Sequence, residues 1–247
     1  DLDSSSDSKW LLYVTRGKDT SYIYALDTET GAMPRMLYKN SKPISWARFN
    51  EKNDQVLFAI CDEKGNYILC SIDVNKAVFQ IPEKIDSAIS GNIDVCSISI
   101  NNIAAITSGE AIINDANGFP VLKGTNSIEL KKDNVIFKTF KKAKNPSWSN
   151  NGRSLLFITE MFGQPEIAKW DMDEPGIQRI SISKGGNNNP RFSPNDEKII
   201  YSSNESGKFN IYFIDLNNLA KKRVTNMRDI EFFKPVWCGN GRIYAIG

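Results

Sequence analysis

Histidine is absent from this chain of 247 residues. That absence removes Ser-His-Asp and Cys-His nucleophile systems, most catalytic zinc sites, and the side chain that titrates nearest neutral pH. Cysteine is scarce: Cys61, Cys70, Cys96 and Cys238 show neither a CxxC pair nor zinc-ribbon spacing, and their density is far below that of a disulfide scaffold. Long apolar runs are also lacking. Nothing approaches the roughly 18 residues of a membrane-spanning helix, and Asp1 to Lys9 are polar rather than signal-like. The first residue is not methionine, as expected of a mature or trimmed product. Charge of one sign is missing too, since 31 Lys plus Arg stand against 29 Asp plus Glu, so no global field points to nucleic acid or an anionic membrane.

What the chain does have is apolar material, 40% of its residues, and a length that all-β domains reach as one unit. A single domain over 1–247 is therefore expected. It is built on a repeat. The clearest copy reads Asn-Pro-Arg-Phe-Ser-Pro-Asn-Asp-Glu-Lys-Ile-Ile-Tyr from Asn189, then Asn-Ile-Tyr-Phe-Ile-Asp at 210–215 and Arg-Val-Thr at 223–225. A second reads Asn-Pro-Ser-Trp-Ser-Asn-Asn-Gly-Arg-Ser-Leu-Leu-Phe from Asn145, with Ile-Ala-Lys-Trp-Asp at 167–171 and Arg-Ile-Ser at 179–181. Pro146 and Pro190 are 44 residues apart.

Weaker copies keep this frame. An aromatic follows the start of a copy by 11 residues at Leu2/Tyr13, Ala47/Phe58, Pro146/Phe157 and Pro190/Tyr201. Gly65/Asp73, Gly163/Asp171 and Gly207/Asp215 are each eight apart, and Gly17/Asp27 is ten. A partial copy opens at Pro235, and a divergent one starts near Val95. In the divergent copy, 95–100, 103–106 and 127–140 read as strands, while 111–124 fits either a loop or an extra hairpin.

Each copy holds four short segments rich in β-branched and aromatic residues, separated by Pro, Asn, Asp and Gly. Such a meander buries neither face alone, so sheets must stack around an axis as the blades of a β-propeller. The expected architecture is all-β: a six-bladed propeller of four-stranded antiparallel blades starting near 2, 47, 95, 146, 190 and 235. The last blade holds two inner strands, Val236–Trp237 and Arg242–Ile246, and its outer strands are expected from sequence before Asp1 or beyond Gly247. Phe49, Trp148, Phe192 and Trp237 read as wedge fillers between blades, Asp27, Asp73, Asp171 and Asp215 as turn anchors, and Gly65, Gly163 and Gly207 as hairpin glycines with positive φ.

These residues resemble the TolB-like, WD-like propeller family (PD40), whose blades run Pro-x-Trp/Phe-Ser-Pro-Asp-Gly, then Ile-Tyr-x-Met/Ile-Asp, then Arg-Leu-Thr. Residues 189–225 match almost throughout, 145–181 and 1–37 well, 47–81 moderately, and 235–244 in the opening only. The resemblance implies a periplasmic or secreted, non-enzymatic protein-binding scaffold of the bacterial Tol envelope system, with the peptidoglycan-associated lipoprotein as partner. It implies a monomer with no cofactor, no metal, no nucleic acid and no membrane span. Related blades also serve as accessory or gating propellers of larger secreted enzymes.

On a propeller, the loops that lead into inner strands share one face with the loops joining second and third strands, and loops on a rigid frame carry function. The candidate partner-binding residues are Trp46, Arg48, Asn145, Asn189, Arg191 and Lys234 on the first set, with Phe162, Arg16, Lys64 and Lys208 in the second. Replacing Arg48, Arg191 and Lys234 is expected to weaken capture with little change in Tm. A carboxylate-dependent enzyme is the competing reading, but its close-set acids, Asp171 with Asp173 and Asp196 with Glu197, fall where the repeat requires turn residues. A third is nucleic-acid binding by Lys131, Lys132, Lys138, Lys141, Lys142 and Lys144 with Phe137 and Phe140. Both phenylalanines read as core, and the lysines as a solvated edge.

Overall fold

The computed structural model describes residues 1–247 apart from 6, 8, 51, 62–66, 77–80, 90–92, 99–103, 109–110, 115–119, 124–125, 133–134, 228 and 239–240; for 45, 67, 84–89, 93–98, 104, 106–108, 111–114, 120–123 and 131 it describes the backbone alone. The strands follow the repeat. Sheet one holds β1 (Leu2–Ser4), β2 (Trp10–Arg16), β3 (Ser21–Asp27) and β4 (Arg35–Asn40), and sheet two β5 (Ile44–Phe49), β6 (Gln55–Cys61), β7 (Tyr67–Asp73) and β8 (Glu83–Ile89). Next come β9 (Ile93–Ile98), β10 (Ala104–Ser108), β11 (Ala111–Asn114), β12 (Pro120–Lys123), β13 (Ser127–Lys132) and β14 (Val135–Lys141). Of these, β9, β10, β13 and β14 form sheet three, and the 111–124 stretch takes the hairpin alternative as β11–β12. Sheet four holds β15 (Ala143–Trp148), β16 (Ser154–Thr159), β17 (Glu166–Asp171) and β18 (Gln178–Arg179). Sheet five holds β19 (Asn187–Phe192), β20 (Lys198–Ser203), β21 (Asn210–Asp215) and β22 (Lys221–Arg223), and β23 (Phe233–Trp237) pairs with β24 (Ile243–Ile246).

Every pairing is antiparallel, and the repeat's 11-residue spacing is a cross-strand contact: Leu2 faces Tyr13 and Ala47 faces Phe58 across their inner hairpins. The first strands pack side by side, β1 with β5, β5 with β9, β9 with β15, β15 with β19, β19 with β23, and β23 with β1. The molecule is a β-propeller around the axis these strands surround.

The core lies in the wedges between sheets. In β16, Leu155 and Phe157 face the sheet-three residues Ala105, Ile128, Leu130 and Phe140, whereas Leu156 and Ile158 pack on Phe192, Ile199, Tyr201 and Tyr212 of sheet five. A strand covered on both faces has no solvent side, so it reads as an unbroken apolar run instead of an alternating one. That is the physical origin of Leu-Leu-Phe-Ile and Ile-Ile-Tyr. The expected wedge fillers Trp148 and Phe192 are buried at 8% and 9% exposure, while Phe49 and Trp237 are half-buried.

Small polar devices close the inner hairpins of sheets one, two, four and five. Ser193 Oγ accepts from Lys198 N at 2.9 Å and donates to Asn195 Oδ1 at 2.7 Å. Ser149 does the same with Ser154 N and Asn151, and Ser5 with Trp10 N and Asp7. In sheet two Asn50 Oδ1 takes over, accepting from Asp54 N and Gln55 N. The aspartates behave as turn anchors at three of four positions: Asp27, Asp73 and Asp215 accept from backbone N–H two residues on. Asp171 departs from this, because its carboxylate is taken by Ser154 Oγ and Lys169 Nζ. Gly163 and Gly207 take φ of 93° and 98°, and Gly65 lies outside the described residues.

Candidate functional site

The axial opening is shaped by a backbone irregularity that recurs on the first strands. In β15 two residues, Asn145 and Pro146, oppose Phe157 alone; in β19 Asn189 and Pro190 oppose Tyr201; in β23 Lys234 and Pro235 oppose Ala245. Strands β5 and β9 carry two-against-one bulges as well, at 45–46 and 94–95. Proline donates no ladder hydrogen bond, so a bulge is where an inner strand accommodates it. The residue before each proline turns left-handed, with φ of 56° at Asn145, 49° at Asn189 and 48° at Lys234. Asparagine adopts that region more readily than other side chains, whereas a lysine held there costs about 1–3 kcal/mol, and such strain clusters at binding sites.

Antiparallel pairing brings the start of β15 beside the end of β16, where Ala143 faces Thr159, and the 160–165 hairpin turns back at that same end. Sheet five repeats this, with Asn187 facing Ser203 beside the 204–209 hairpin. Asn145, Asn189 and Lys234 therefore share one end of the propeller with the hairpins that carry Phe162 and Lys208. Asn145 is buried at 8% exposure and donates through Nδ2 to Asn188 Oδ1, bridging two neighbouring inner strands. Asn189 and Lys234 are half-buried, with Lys234 Nζ 3.6 Å from the Asp1 carboxylate. Phe162 is 38% exposed and its ring lies 5.1 Å from the Arg179 guanidinium. Arg16 is exposed and donates to Ile44 O at 3.1 Å, and Lys64 lies outside the described residues.

Three nominated residues do not face that opening. Trp46 is 2% exposed, its indole N–H without a hydrogen-bond partner among the described residues, so it presents no surface. Arg48 is 8% exposed; Nη1 donates to the Asp1 carboxylate, to Leu2 O and to Ala47 O, and Nε lies 3.8 Å from Asp3 Oδ1. It ties β1 to β5. The expectation that Arg48 is replaceable at constant Tm is corrected accordingly, because removing one partner of a buried ion pair strands the other charge. Arg191 pairs with Ile200 toward the far end of β19 and lines a different opening.

That second opening is a cavity of about 110 Å³ where the first strands end, lined among others by Asp3, Ser147, Trp148, Arg191, Phe192 and Trp237. Ligand pockets for whole small molecules are on the order of 300–1,000 Å³, so this one takes a side-chain tip or a few waters. Asp3 Oδ2 accepts from Phe49 N at 2.9 Å. Burial pushes its carboxyl up to about 6, outweighing the opposing pull of Arg48.

The proposed acids are structural where the structure describes them. Asp196 accepts from Asn150 N, Asn150 Nδ2 and Asn151 N, fastening the turn of sheet five to that of sheet four, and Asp173 pairs with Arg153 on the surface. Among the described residues no group of three or more acidic or cysteine side chains is placed to hold a metal ion. No helix of the described residues is long and apolar enough to cross a membrane. Of the two phenylalanines expected in the core, Phe140 is buried at 3% exposure, but Phe137 is 48% exposed, a correction explained by its bulged place on edge strand β14.

Sequence reasoning nominated Asn145, Asn189 and Lys234 as entries to inner strands, without reading the bulges they occupy. It missed the serine clasps and the Asp3–Arg48 tie, although Ser recurs after the aromatic in Trp148-Ser149 and Phe192-Ser193 and was a readable signal.

Comparison with known proteins agrees with this geometry. Residues 127–245 match the TolB beta propeller domain, PD40. The Tol-Pal system protein TolB of Francisella tularensis subsp. mediasiatica is 30% identical over 118 residues, 47% of this chain and 25% of that protein. The chain thus spans about a quarter of the length of the curated relatives it matches. Among solved structures, TolB from Acinetobacter baumannii superposes with a TM-score of 0.70 at 18% identity, covering 96% of this chain and 57% of that one. The WD40 beta propeller domain of Doa1 follows with 0.65 at 12% identity, covering 99% and 88%.

Proposed function

We propose that this chain, which carries a TolB-like β-propeller, works as a non-enzymatic protein-binding scaffold, a single six-bladed domain over 1–247 with β23–β24 as the inner half of the sixth blade. The closed cycle of first-strand contacts supports the blade count. The observation that carries the binding reading is the set of left-handed bulge residues, Asn145, Asn189 and Lys234, at the end where the Phe162 and Lys208 hairpins turn. Strained backbone, one exposed aromatic and cations on a rigid frame are what a polypeptide partner needs for anchoring and orientation. By relation to the Tol-Pal proteins, the partner is the peptidoglycan-associated lipoprotein, met in the periplasm by a monomeric propeller.

Isothermal titration of the purified chain with the soluble domain of that lipoprotein tests the reading. Replacing Phe162, Asn189 and Lys234 together by alanine is expected to weaken binding by about tenfold or more, roughly 1.4 kcal/mol. An unchanged Kd in a folded triple variant would reject this face, and no binding by the parent chain would reject the partner.

A further inference from the structure

We propose that the edge strand β14 is a docking site for an acidic polypeptide segment bearing apolar side chains, on a surface separate from the axial opening. Val135, Ile136 and Phe137 stand 64%, 50% and 48% exposed in succession, a contiguous β-branched and aromatic run on the outermost strand of sheet three. Phe137 is the bulged residue, since Leu130 faces Lys138 and the adjacent Lys131 faces Ile136. A bulge re-aims a side chain out of the regular alternation. Burying such a run in a partner is favourable in proportion to the apolar area removed from water.

The rim fixes the partner's charge. From 127 to 144 the sequence has six lysines against two acids, and Lys132, Lys138, Lys141 and Lys142 are all exposed. Lys138 Nζ lies 5.8 Å from the Phe140 ring and 5.9 Å from that of Trp170, so its ammonium is held beside the strand. Cations around an apolar centre select a segment with carboxylates around apolar anchors. A second copy of this chain is disfavoured, because edge-to-edge pairing would bring these lysines against one another. Single-stranded nucleic acid fits less well: Val135 and Ile136 offer no stacking face, and Phe140 is buried. A lipid surface fits less well too, since an acyl layer leaves a strand's outward N–H and C=O groups unpaired, while an added peptide strand supplies partners.

The test uses the full chain and a fluorescein-labelled short peptide of alternating glutamate and valine, followed by fluorescence anisotropy. Saturable binding is expected, with the Kd rising about tenfold in Ile136→Ser/Phe137→Ser and similarly in Lys132→Glu/Lys141→Glu. Both pairs are exposed, and an unchanged Tm verifies that each variant folds. A lysine–valine peptide is expected not to saturate. Failure of the acidic peptide to saturate, equal affinity in folded variants, or tighter binding of oligothymidylate or phosphatidylserine vesicles than of the peptide would overturn the proposal.

Discussion

At the scale of single residues, the most informative groups are the polar ones that the repeat conceals inside the ring. Asp3 sits beside Arg48 and accepts the Phe49 amide, yet burial still holds its carboxyl near 6, above its ordinary 3.8. The folded chain then binds a proton more tightly than the unfolded one. Asp3 therefore favours folding below about pH 4 and loses that contribution as pH rises toward 6. The Tm difference between the parent and Asp3→Asn, followed by circular dichroism, is expected to shift in the parent's favour on going from neutral to acidic pH. A difference independent of pH would contradict the burial of this group. Ser193 gives a second expectation. Losing its clasp on Lys198 N and Asn195 removes local hydrogen bonds, so Ser193→Ala should cost about 1 kcal/mol in urea unfolding.

At the scale of elements, the bulged first strands and the tight hairpins impose opposite requirements on side chains. Gly207 has open space where a Cβ would stand, so Gly207→Ala tests backbone strain alone. Asn189 already carries a side chain at φ 49°. Asparagine tolerates that region, valine does not, and glycine adopts it freely. Asn189→Gly is expected to leave stability nearly unchanged, whereas Asn189→Val should lower it by about 1–2 kcal/mol in denaturant titration. Comparable stability of the two variants would mean that β19 relaxes its bulge.

At the scale of the whole molecule, the junction between β23–β24 and sheet one decides whether the ring holds together. Among the described residues, Arg242 Nη1 donates to Thr28 O at 2.8 Å, Ser4 Oγ donates to Trp237 O at 3.3 Å, and Lys234 approaches Asp1 across it. The other described wedges close instead through clusters such as Leu156, Ile158, Phe192 and Tyr201. Local opening follows the sparsest packing. Arg242→Ala is expected to raise amide hydrogen exchange in 233–246 while leaving β20 and β21 protected. Uniform protection across all sheets in the variant would show that this seam is not the weak one.

The all-β class, the β-propeller architecture and the strands of the clear repeats were legible in the residues themselves, because a strand buried on both faces must be apolar throughout and its turns must be polar or glycine. The period near 44 residues, the Asn-Pro pairs and the Asp turn anchors are local, and local chemistry suffices to produce them. Tertiary structure alone decided which of the nominated side chains face solvent. Trp46 and Arg48 occupy the same stretch of sequence pattern as Asn189 and Lys234, which are half-buried, yet both are buried, and Arg48 is consumed by Asp1 and Asp3 more than 40 residues away. Phe137 and Phe140 differ in the same way: three positions apart on one strand, one is set outward by a bulge and the other is sealed under Phe157 and Trp170. Exposure is a property of what packs opposite a residue, and no window of sequence contains that neighbour.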